Sequence, residues 1–444
     1  METLFRKIKT LLPRPVFRLL QKPYHFLLAY AAAVIYWFPG RNLTVIGVTG
    51  TKGKTTVVAL VHEVLSASDM PVMSASSLRF RIGAIETQNT LKMTMPGRFF
   101  IQRLLRRAVT AGCRYAVLEV TSQGIAQCRH RGIPFAGAVM TNVAPEHIES
   151  HGGFEPYLRA KLDLFWRLPR KGAAIINRDD PQWRRFSAAT SAHKIFYGKD
   201  GITIGGKQWK ITDVAIEKDG MMFSIAGVAV RSALLGAFNF SNVLAAVAVG
   251  LSHGIALERI ATAIARVTGV PGRMEFVARG PVAVVVDYAH TPDSLEAVYA
   301  FLSKNAKRKT KNAKLICVLG AAGGGRDMWK RLAFGKIAAK YCDEIILTNE
   351  DPYDEDPMMI LADIETGIPT NSKQQTAALR TILDRGEAIK TALGSARSGD
   401  TVVITGKGAE PWIMGPQGSK LPWDDRAVAR EALDCRASIT PIPS

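Results

Sequence analysis

GVTGTKGKTT, residues 47–56, follows the apolar run 43–48 and precedes the apolar helical pattern TTVVALVHEVL. A strand, a glycine turn and a helix start in this order form a loop that binds a triphosphate. Glycines let backbone amides close around the phosphates, Lys54 supplies a positive charge, and the Thr55 hydroxyl can ligate magnesium. The stretch therefore predicts a nucleotide-binding α/β domain. The alternative is a glycine-rich turn in which GKTT occurs by chance.

The composition is that of a globular protein with room for two or three domains, since 47% of the 444 residues are hydrophobic. The net charge of +20 suits anionic ligands such as nucleotides, and it also suits an anionic membrane surface or nucleic acid. The chain shows no RNA-binding signature, no basic tract interleaved with aromatic residues and no internal repeat. We therefore expect no nucleic-acid partner.

The cysteines include no CxxC pair and no even set at close spacing, so the sequence predicts neither a disulfide framework nor a zinc site. They are Cys113, Cys128, Cys317, Cys342 and Cys435. This pattern is typical of a protein in a reducing cytoplasm.

Residues 1–42 differ from the rest of the chain, because basic residues are spread over a first part and an almost wholly apolar segment, 24–38, follows. Pro23 and Pro39 bracket these 15 residues, which are fewer than the roughly 20 that span a bilayer as a helix. No small-residue cleavage site follows, which argues against a signal peptide. Three alternatives stay open: a helix packed on the next domain, an interfacial membrane anchor, or a transmembrane helix.

Short apolar runs alternate with amphipathic segments from residue 43 to 268, which predicts a mainly parallel sheet with helices on both faces. We expect strands at 43–48, 115–120, 136–141 and 173–177, an antiparallel excursion at 194–234, and helices at 238–252 and 257–267. GVPGRME at 269–275 is typical of a hinge linker.

A second α/β series predicts a Rossmann-like domain after this linker. Its expected strands are 282–287, 314–319, 343–348 and 401–405, and its expected helices are 292–304, 328–341, 376–395 and 424–433. The predicted organisation is an N-terminal helical segment 1–42, a central domain 43–268 and a C-terminal domain 269–444.

Two polar residues follow predicted strands at the sheet edge where α/β proteins form ligand sites. Glu119 ends the strand in YAVLEVTS, and His147 follows the next strand in TNVAPEHIESHG. Glu119 can hold magnesium opposite the loop that carries Lys54. The alternatives are a solvated carboxylate for Glu119 and a structural role for His147.

Several segments together resemble the Mur ligase family. The phosphate loop has the family's longer form, with Val48 where the common loop has its first glycine. LEVTSQGIAQCR resembles the family's EVSSH segment, TNVAPEHIESHG its DHLDYHG segment, and YLRAKLDLF its YxxAK helix. IINRDDP, LLGAFNFSNVLAAVAV, PGRME and VVVDYAHTPDSL match further segments in the same order. The resemblance covers about residues 43–434 and is nearest to the branch of UDP-N-acetylmuramoyl-tripeptide synthetases, which add the third residue of the peptidoglycan stem.

The resemblance implies an ATP site with two magnesium ions, whose ligands would be Thr55, Glu119, His147 and a carbamylated Lys161. Read alone, Lys161 would be a solvent-facing helical lysine. The implied nucleotide contacts are Gly50, Thr51, Lys52, Gly53, Lys54, Thr55, Thr56, Asn242 at the adenine, Asp287 at the ribose, and Arg273 at the phosphates when the domains close. The residues with an implied part in catalysis are Lys54, His147, Lys161 and Arg273.

The substrate contacts implied by the resemblance lie on both domains. Those of the acceptor are Thr94, Ser122, Gln127 and Arg129 in the central domain. Those of the incoming amino acid are Arg326 and Glu410 in the C-terminal domain.

The chain also departs from the family pattern. Met95 replaces the middle threonine of the family's TTP segment, and Gln123 replaces the histidine of its SSH segment. Glu146 replaces the family's aspartate before His147, and Ala409 replaces the histidine of the family's GKGHE segment.

The loop TNEDPYDEDP, residues 348–357, has Tyr353 where enzymes that select meso-diaminopimelate have the arginine of DNPR. A guanidinium can bind a distal carboxylate with two parallel hydrogen bonds, whereas a tyrosine side chain cannot form such a pair. The resemblance therefore favours a lysine-like or other amino acid over meso-diaminopimelate. Candidate partners for an ammonium group are Asp351, Asp354 and Glu355.

Members of this branch begin with a separate domain that holds the uridine part of the substrate, whereas about 42 residues precede the phosphate-loop strand here. We expect weaker binding of the uridine group, a partner protein that supplies the binding site for this group, or an acceptor that carries something other than UDP. A lipid-linked acceptor would suit peripheral membrane contact through residues 1–40 of a cytoplasmic protein.

The sequence thus predicts an ATP-dependent ligase that forms an amide bond through an acyl phosphate, adding an amino acid to a UDP-N-acetylmuramoyl-peptide in peptidoglycan synthesis. A sibling ligase, such as a folylpolyglutamate or cyanophycin-type synthetase, is the alternative enzyme, because it shares the loop. A membrane-associated, ATP-binding scaffold is the alternative of another class. Lys54, Glu119, His147 and Lys161 argue against a scaffold, which needs no acyl-phosphate site. The oligomeric state does not follow from the sequence.

Overall fold

Two large sheets, one in each half of the chain, organise the fold. The computed structural model describes residues 14–91, 93–145, 151–309, 312–325, 327–369 and 377–439. The helices of the first half are α1 (Arg14–Ile35), α2 (Lys54–Ser66), α3 (Arg98–Thr110), α4 (Ser122–Ala126), α5 (Phe154–Trp166), α6 (Trp183–Ala188), α7 (Ala237–Ser252) and α8 (Leu257–Ala265).

The strands of the first half form a ten-stranded sheet and a separate three-stranded sheet. They are β1 (Thr44–Thr49), β2 (Val72–Ala75), β3 (Arg79–Ile82), β4 (Ile85–Gln88), β5 (Tyr115–Glu119), β6 (Phe135–Met140), β7 (Ala173–Asn177), β8 (His193–Gly198), β9 (Gly201–Ile204), β10 (Lys207–Trp209), β11 (Ile211–Glu217), β12 (Gly220–Ile225) and β13 (Val228–Ser232). The large sheet has the order β10-β9-β8-β7-β6-β1-β5-β2-β3-β4. Its middle strands, from β8 to β2, are parallel, and β11-β12-β13 is antiparallel.

The second half has a six-stranded sheet and a small hairpin. Its strands are β14 (Glu275–Arg279), β15 (Ala283–Asp287), β16 (Leu315–Leu319), β17 (Glu344–Leu347), β18 (Ala378–Thr381), β19 (Thr401–Thr405), β20 (Trp412–Met414) and β21 (Lys420–Pro422). Its helices are α9 (Pro292–Lys309), α10 (Trp329–Tyr341), α11 (Pro357–Glu365), α12 (Arg385–Ser395) and α13 (Asp425–Ile439). The sheet order is β14-β15-β19-β16-β17-β18, and only β14 runs antiparallel to its neighbour.

Strand β1 is central in the first sheet, and its side chains alternate between two buried faces. Ile46 and Val48 pack in the cluster that contains α2 and α7, while Val45 packs in the cluster that contains α3 and α5. The strand therefore lies between two helical layers. Its carboxyl end leads directly into the loop that starts α2.

The helix α1 packs against α3, and its small residues pack against the turn that contains Gly132. Ala29, Ala32 and Ala33 are buried, and a Cβ on Gly132 would lie 2.7 Å from the Ala33 Cβ, so the chains approach closely there. The opposite side of α1 exposes large apolar residues, among them Leu27 at 68%. The alternative of a helix packed on the next domain is thus confirmed for the part of residues 1–42 that the structure describes. None of the helices within the described ranges is long and apolar enough to cross a membrane.

Most predicted strands and helices are confirmed, but the helix expected at 376–395 is wrong in its first part. Residues 378–381 form β18, which pairs in parallel with β17, and α12 begins at Arg385 because the Asp384 side chain caps it by accepting from the Glu387 amide. Strands β2, β3 and β4 and the helix α11 were not predicted.

The cysteine spacing gave no sign of a disulfide, and this prediction is wrong for one pair. Cys317 on β16 and Cys342 at the end of α10 form a disulfide. Their 25-residue separation hid the contact, because a strand followed by a helix returns the chain to the same place.

Candidate active site

The loop after β1 requires its glycines. Gly50 has φ +153° and Gly53 has φ +79°, and a Cβ at these positions would lie 1.8 Å from the Thr141 Oγ1 and 2.3 Å from the Asn242 Oδ1. Gly53 is the N-cap residue of α2 and, as a glycine, has no side chain that could cap the helix. The amides of the first turn are therefore open to an anion.

The two lysines of the loop have different surroundings. The Lys54 Nζ donates to the Thr51 carbonyl at 2.7 Å. The Lys52 Nζ pairs with the Asp293 Oδ2 at 3.1 Å, and Asp293 belongs to α9 of the second half. Both lysines, with Thr56, line a cavity of about 400 Å³ between the two halves.

The candidate magnesium ligands Thr55 and Glu119 lie together. The Thr55 Oγ1 donates to the Glu119 Oε2 at 3.0 Å, and the Ser77 amide donates to the same oxygen at 2.9 Å. A hydroxyl and a carboxylate are the hard oxygen donors that magnesium prefers, so these residues fit the ion. His147 lies outside the described residues. Within the described ranges no three His, Cys, Asp or Glu side chains converge as a metal site.

Lys161 is buried on α5, with 2% of its side chain exposed, and is not a solvent-facing lysine. Its Nζ donates to the Gly50 carbonyl at 2.6 Å and lies 4.5 Å from the centre of the Tyr157 ring. The Tyr157 hydroxyl in turn lies 2.7 Å from the Thr51 Oγ1. The end of Lys161 therefore reaches the phosphate loop, as a metal-bridging carbamate would require.

The candidate adenine and ribose residues are buried in the same cavity. The Asn242 Nδ2 donates to the Asn239 Oδ1 at 2.8 Å, which fixes the amide at the loop. Asp287 accepts from the amides of Met274 and Ala289, both at 2.7 Å, and its burial raises the pKa of the carboxyl. Asp287 thus also holds the linker between the halves.

Arg273 of the linker lies over the Tyr288 ring, 4.1 Å from its centre. Its Nε is buried and has no hydrogen-bond partner within the described residues. The guanidinium lines the same cavity as the phosphate loop. A buried donor of this kind is suited to an incoming anion.

A second cavity of about 620 Å³ continues from the first. Thr94 and Arg129 line it from the first half, and Asp351 and Glu410 line it from the second. Ser122 lines the first cavity and lies within 3.1 Å of the His151 ring, while Gln127 supports Arg129 by accepting from it at 2.6 Å. Arg326 lies outside the described residues.

Of the three acidic residues proposed for an ammonium, only Asp351 faces this cavity. Asp354 accepts from the Gln417 amide, and Glu355 accepts from Arg331 at 2.6 Å. These two carboxylates hold the loop itself. The part that Asp354 and Glu355 would play toward an ammonium group therefore stays a prediction from the sequence, since neither residue lines this cavity.

Two residues were missed from the sequence: Glu350, which lines this cavity, and Lys407, which contacts two of its lining residues. Glu350 is 5% exposed, its Oε2 has no partner within the described residues, and burial followed by the charge of Asp351 raises its pKa. Lys407 is fully buried and donates to the Asp351 Oδ1 at 2.7 Å and the Glu410 Oε2 at 2.8 Å. Lys407 lies in GKGAE, residues 406–410, which corresponds to the family's GKGHE segment, so that segment carried a usable signal.

A phosphate loop that faces a Rossmann-like domain across a shared cleft is suited to a P-loop enzyme that uses ATP on a substrate bound between the two domains. Residues 48–250 match the Mur ligase middle domain, and residues 272–408 match the Mur ligase glutamate ligase domain. This chain belongs to the Mur ligase family, whose members use ATP and magnesium.

Relatives cover most of the chain. It is 40% identical over 413 residues to the UDP-N-acetylmuramoyl-L-alanyl-D-glutamate–2,6-diaminopimelate ligase of Gloeobacter violaceus, with 92% of this chain and 81% of that one aligned. It is 38% identical over 425 residues to the UDP-N-acetylmuramyl-tripeptide synthetase of Roseiflexus sp., with 91% and 81% aligned.

Solved structures show the same fold. A 2,6-diaminopimelate ligase of this kind has TM-score 0.59 and 31% identity over 89% of this chain and 79% of the other. The folylpolyglutamate synthase of Mycobacterium tuberculosis has TM-score 0.67 at 18% identity, over 85% and 91%, a likeness in fold alone.

Proposed function

We propose that this ligase couples an amino acid to a UDP-N-acetylmuramoyl-dipeptide in the cytoplasm, for peptidoglycan synthesis. The observation that carries the proposal is that two cavities meet at one wall. The residues that line both are Ser77, Thr94, Thr121, Gln123, Tyr288 and His290. A phosphate-loop cavity and an acid-lined cavity in direct contact suit a reaction that phosphorylates a carboxylate and then admits an amine.

In the proposed reaction the acceptor carboxylate attacks the γ-phosphorus of ATP, and ADP leaves. The amine of the amino acid then attacks the acyl phosphate, so that the C–N bond forms, the C–O bond to phosphate breaks, and the amine loses a proton. Lys54 and Arg273 hold the phosphate oxygens. The magnesium ions, when bound, neutralise charge on the transferred group. Closure of the two halves excludes water from the acyl phosphate.

Four residues would hold the magnesium ions. Thr55 and Glu119 fit a magnesium ion, and we propose His147 and a carbamylated Lys161 as the further ligands of two ions. The support for Lys161 is its burial and its reach to the Gly50 carbonyl. A carbamate would convert a buried cation into the anion that two cations require.

For the amino acid we propose a basic diamino acid whose distal ammonium meets the acidic side of the second cavity. Glu350 and Asp351 are buried, and one oxygen of Glu350 is unpartnered within the described residues. Tyr353 in place of an arginine favours lysine or a lysine-like amino acid. The relatives named for 2,6-diaminopimelate make that diamino acid the competitor to test.

We also propose peripheral membrane contact through residues 1–40, with an anionic lipid surface as the occupant of the exposed side of α1. Leu27 is 68% exposed, and Trp37, just after the helix, is 82% exposed. Residues 3–62 contain no Asp or Glu, and Arg14, Arg18 and Lys22 recur at every fourth position of α1. Apolar side chains with basic residues nearby are the composition of helices that lie in the lipid interface.

Phosphate release from ATP tests the reaction class. We expect release only when magnesium, a UDP-muramoyl-dipeptide and an amino acid are all present. Release with a folate or an oligopeptide acceptor would point to a sibling ligase, and release indifferent to acceptor and amine would contradict the proposal. Substitution Lys54→Met should abolish release, whereas the exposed Lys199→Met serves as the matched control.

A further inference from the structure

Another cavity, of about 370 Å³, lies at the outer part of the ten-stranded sheet. Its lining includes Phe196 on β8, Thr203 on β9 and Gln208 on β10, which are paired in register across the three strands. Paired residues on neighbouring strands point to the same face of a sheet, so these side chains form one row. Among the residues that the structure describes, none lines both this cavity and either of the two at the phosphate loop. It is therefore a separate place for a ligand.

Two arginines and two aromatic rings line the cavity beside this row. The rings of Trp183 and Phe196 meet edge to face, with their centres 5.7 Å apart. The Arg178 guanidinium carbon lies 5.4 Å from the centre of the Trp183 ring and 5.9 Å from that of Phe196. The Arg184 guanidinium carbon lies 4.7 Å from the centre of the Trp183 ring. Such contacts stabilise a guanidinium, and its N–H groups stay able to donate.

These guanidinium groups lack a partner of opposite charge. Neither Arg178 nor Arg184 forms a side-chain hydrogen bond or an ion pair within the described part of the chain. Arg185, the next residue of α6, does pair with Glu155, at 2.6 Å. Because Arg178 and Arg184 contact the same Trp183 ring, their charges lie near each other and repel. An anion that contacts both groups would relieve this repulsion.

The cavity also offers a carboxylate, which an inorganic anion would not use. Asp179 accepts from the Lys199 amide at 2.8 Å, and a Cβ on Gly198 would lie 2.8 Å from the Asp179 Oδ1, so this carboxylate holds the turn after β8. The exposed Asp200 carboxylate has no hydrogen-bond partner within the described ranges. A ligand that fits both charges carries an anionic group and hydroxyl or amine donors.

We propose that this cavity binds a nucleoside phosphate, as a second nucleotide site apart from the phosphate loop. Arg178 and Arg184 bind the phosphate oxygens, and Asp200 accepts from the ribose hydroxyls, as acidic residues do in other nucleotide sites. The Gln208 amide can donate to the edge of a base and accept from it. The volume lies within the range of small-molecule sites, about 300–1,000 Å³. The ligand is either an adenine nucleotide or a uridine nucleotide. This site goes beyond the proposed ligase reaction, and its binding needs none of the ligase substrates.

Calorimetry on the full chain tests the site with AMP, UMP and inorganic phosphate as probes. The monophosphates lack the β-phosphate that a phosphate loop cradles, so they favour the proposed site over that loop. We expect one nucleotide to bind about tenfold or more tightly than inorganic phosphate. Arg178→Gln and Arg184→Gln should each weaken its binding about tenfold or more, because charge-assisted hydrogen bonds are lost. Arg185→Gln, on the same helix but outside the cavity, should leave the affinity unchanged.

The probe that binds more tightly identifies the source of the ligand, since AMP represents adenine nucleotides and UMP represents uridine nucleotides. Inorganic phosphate that binds as tightly as both nucleotides would overturn the proposal. Unchanged nucleotide affinity in both Arg178→Gln and Arg184→Gln would also overturn it. Lys54→Met should bind the monophosphate as the wild type does, whether or not the ligase reaction is confirmed. The two proposals can therefore fail separately.

Fluorescence separates a loss of contact from a loss of folding. A bound nucleotide should change the tryptophan emission of the wild type through Trp183, and Trp183→Phe should abolish this change while calorimetric binding persists, because an aromatic ring remains. A fluorescence change that persists in Trp183→Phe would place the nucleotide elsewhere and contradict the site. Arg178→Lys keeps the charge without the planar fork, so its affinity should lie between those of the wild type and Arg178→Gln at an unchanged melting temperature.

Discussion

The Lys52 Nζ in the phosphate loop lies 3.1 Å from the Asp293 Oδ2 at the start of α9. These residues belong to opposite halves of the molecule, and both line the phosphate-loop cavity. The Asp293 side chain is 71% exposed, so the pair contributes little to folding stability, typically about 1 kcal/mol or less. Its main effect is electrostatic, because the pair places a carboxylate next to a lysine of the phosphate loop, in the cavity that this loop lines.

Asp293→Asn should therefore lower the ATP KM about two- to fivefold and leave the melting temperature unchanged. The substitution removes a negative charge that neutralises Lys52 and repels phosphate. The effect should shrink at high salt. Glu296→Gln, on the exposed side of the same helix, is the control, since Glu296 pairs with Lys340 away from the cavity. A raised ATP KM in Asp293→Asn would show that the ion pair organises the site and does not compete with the nucleotide.

Lys161→Ala should reduce turnover by about a hundredfold or more, because it removes the group proposed to bridge the metals. A carbamate also predicts that wild-type turnover falls when bicarbonate and carbon dioxide are removed, and that it returns on adding bicarbonate. The nearby Lys171→Ala, an exposed lysine, is the control. Wild-type turnover that does not depend on bicarbonate would contradict carbamylation, and near-normal turnover of Lys161→Ala would remove the residue from the mechanism.

Tyr353→Arg should shift amino-acid preference from lysine toward meso-2,6-diaminopimelate by about tenfold or more, since a guanidinium can bind the distal carboxylate. The ratio of kcat/KM for the two amino acids measures the shift. Tyr353→Phe, which adds no charge, should leave the ratio near that of the wild type. Efficient use of meso-2,6-diaminopimelate by the wild type, with no change in Tyr353→Arg, would show that another residue reads the distal carboxylate.

The exposed side of α1 predicts sedimentation with vesicles that contain phosphatidylglycerol. The double substitution Leu27→Gln and Val34→Gln removes two exposed apolar side chains and should weaken vesicle binding about tenfold or more. Met359→Gln on α11 is the control, because Met359 is also an exposed apolar residue. Because the N-terminus is basic, the protein should not bind to neutral vesicles, and its binding to anionic vesicles should be lost at high salt. Equal sedimentation of the variants, or none by the wild type, would contradict membrane contact.

The sequence predicted the parts of this fold that depend on local pattern. Gly50, Gly53 and the apolar runs around them specify a strand, a turn and a helix within a few residues, and Glu119 follows from its place at a strand end. Contacts that arise when distant segments pack together could not be predicted from the sequence. The Cys317–Cys342 disulfide depends on where α10 returns to the second sheet. The burial of Glu350, whose Oε2 has no partner within the described residues, depends on which distant segments surround it. Likewise, Asp351 lines the cavity and Asp354 does not because of the orientation of one loop, which the sequence does not predict.

The measurement that tests the central claim most directly is the fate of the acceptor oxygen. A UDP-muramoyl-dipeptide labelled with oxygen-18 in its free carboxylates is incubated with ATP, magnesium and lysine, and the released phosphate is analysed by mass spectrometry. An acyl phosphate predicts that an acceptor oxygen is transferred to the phosphate in step with amide formation. Unlabelled phosphate released alongside amide product, or phosphate released without any amide, would contradict the account.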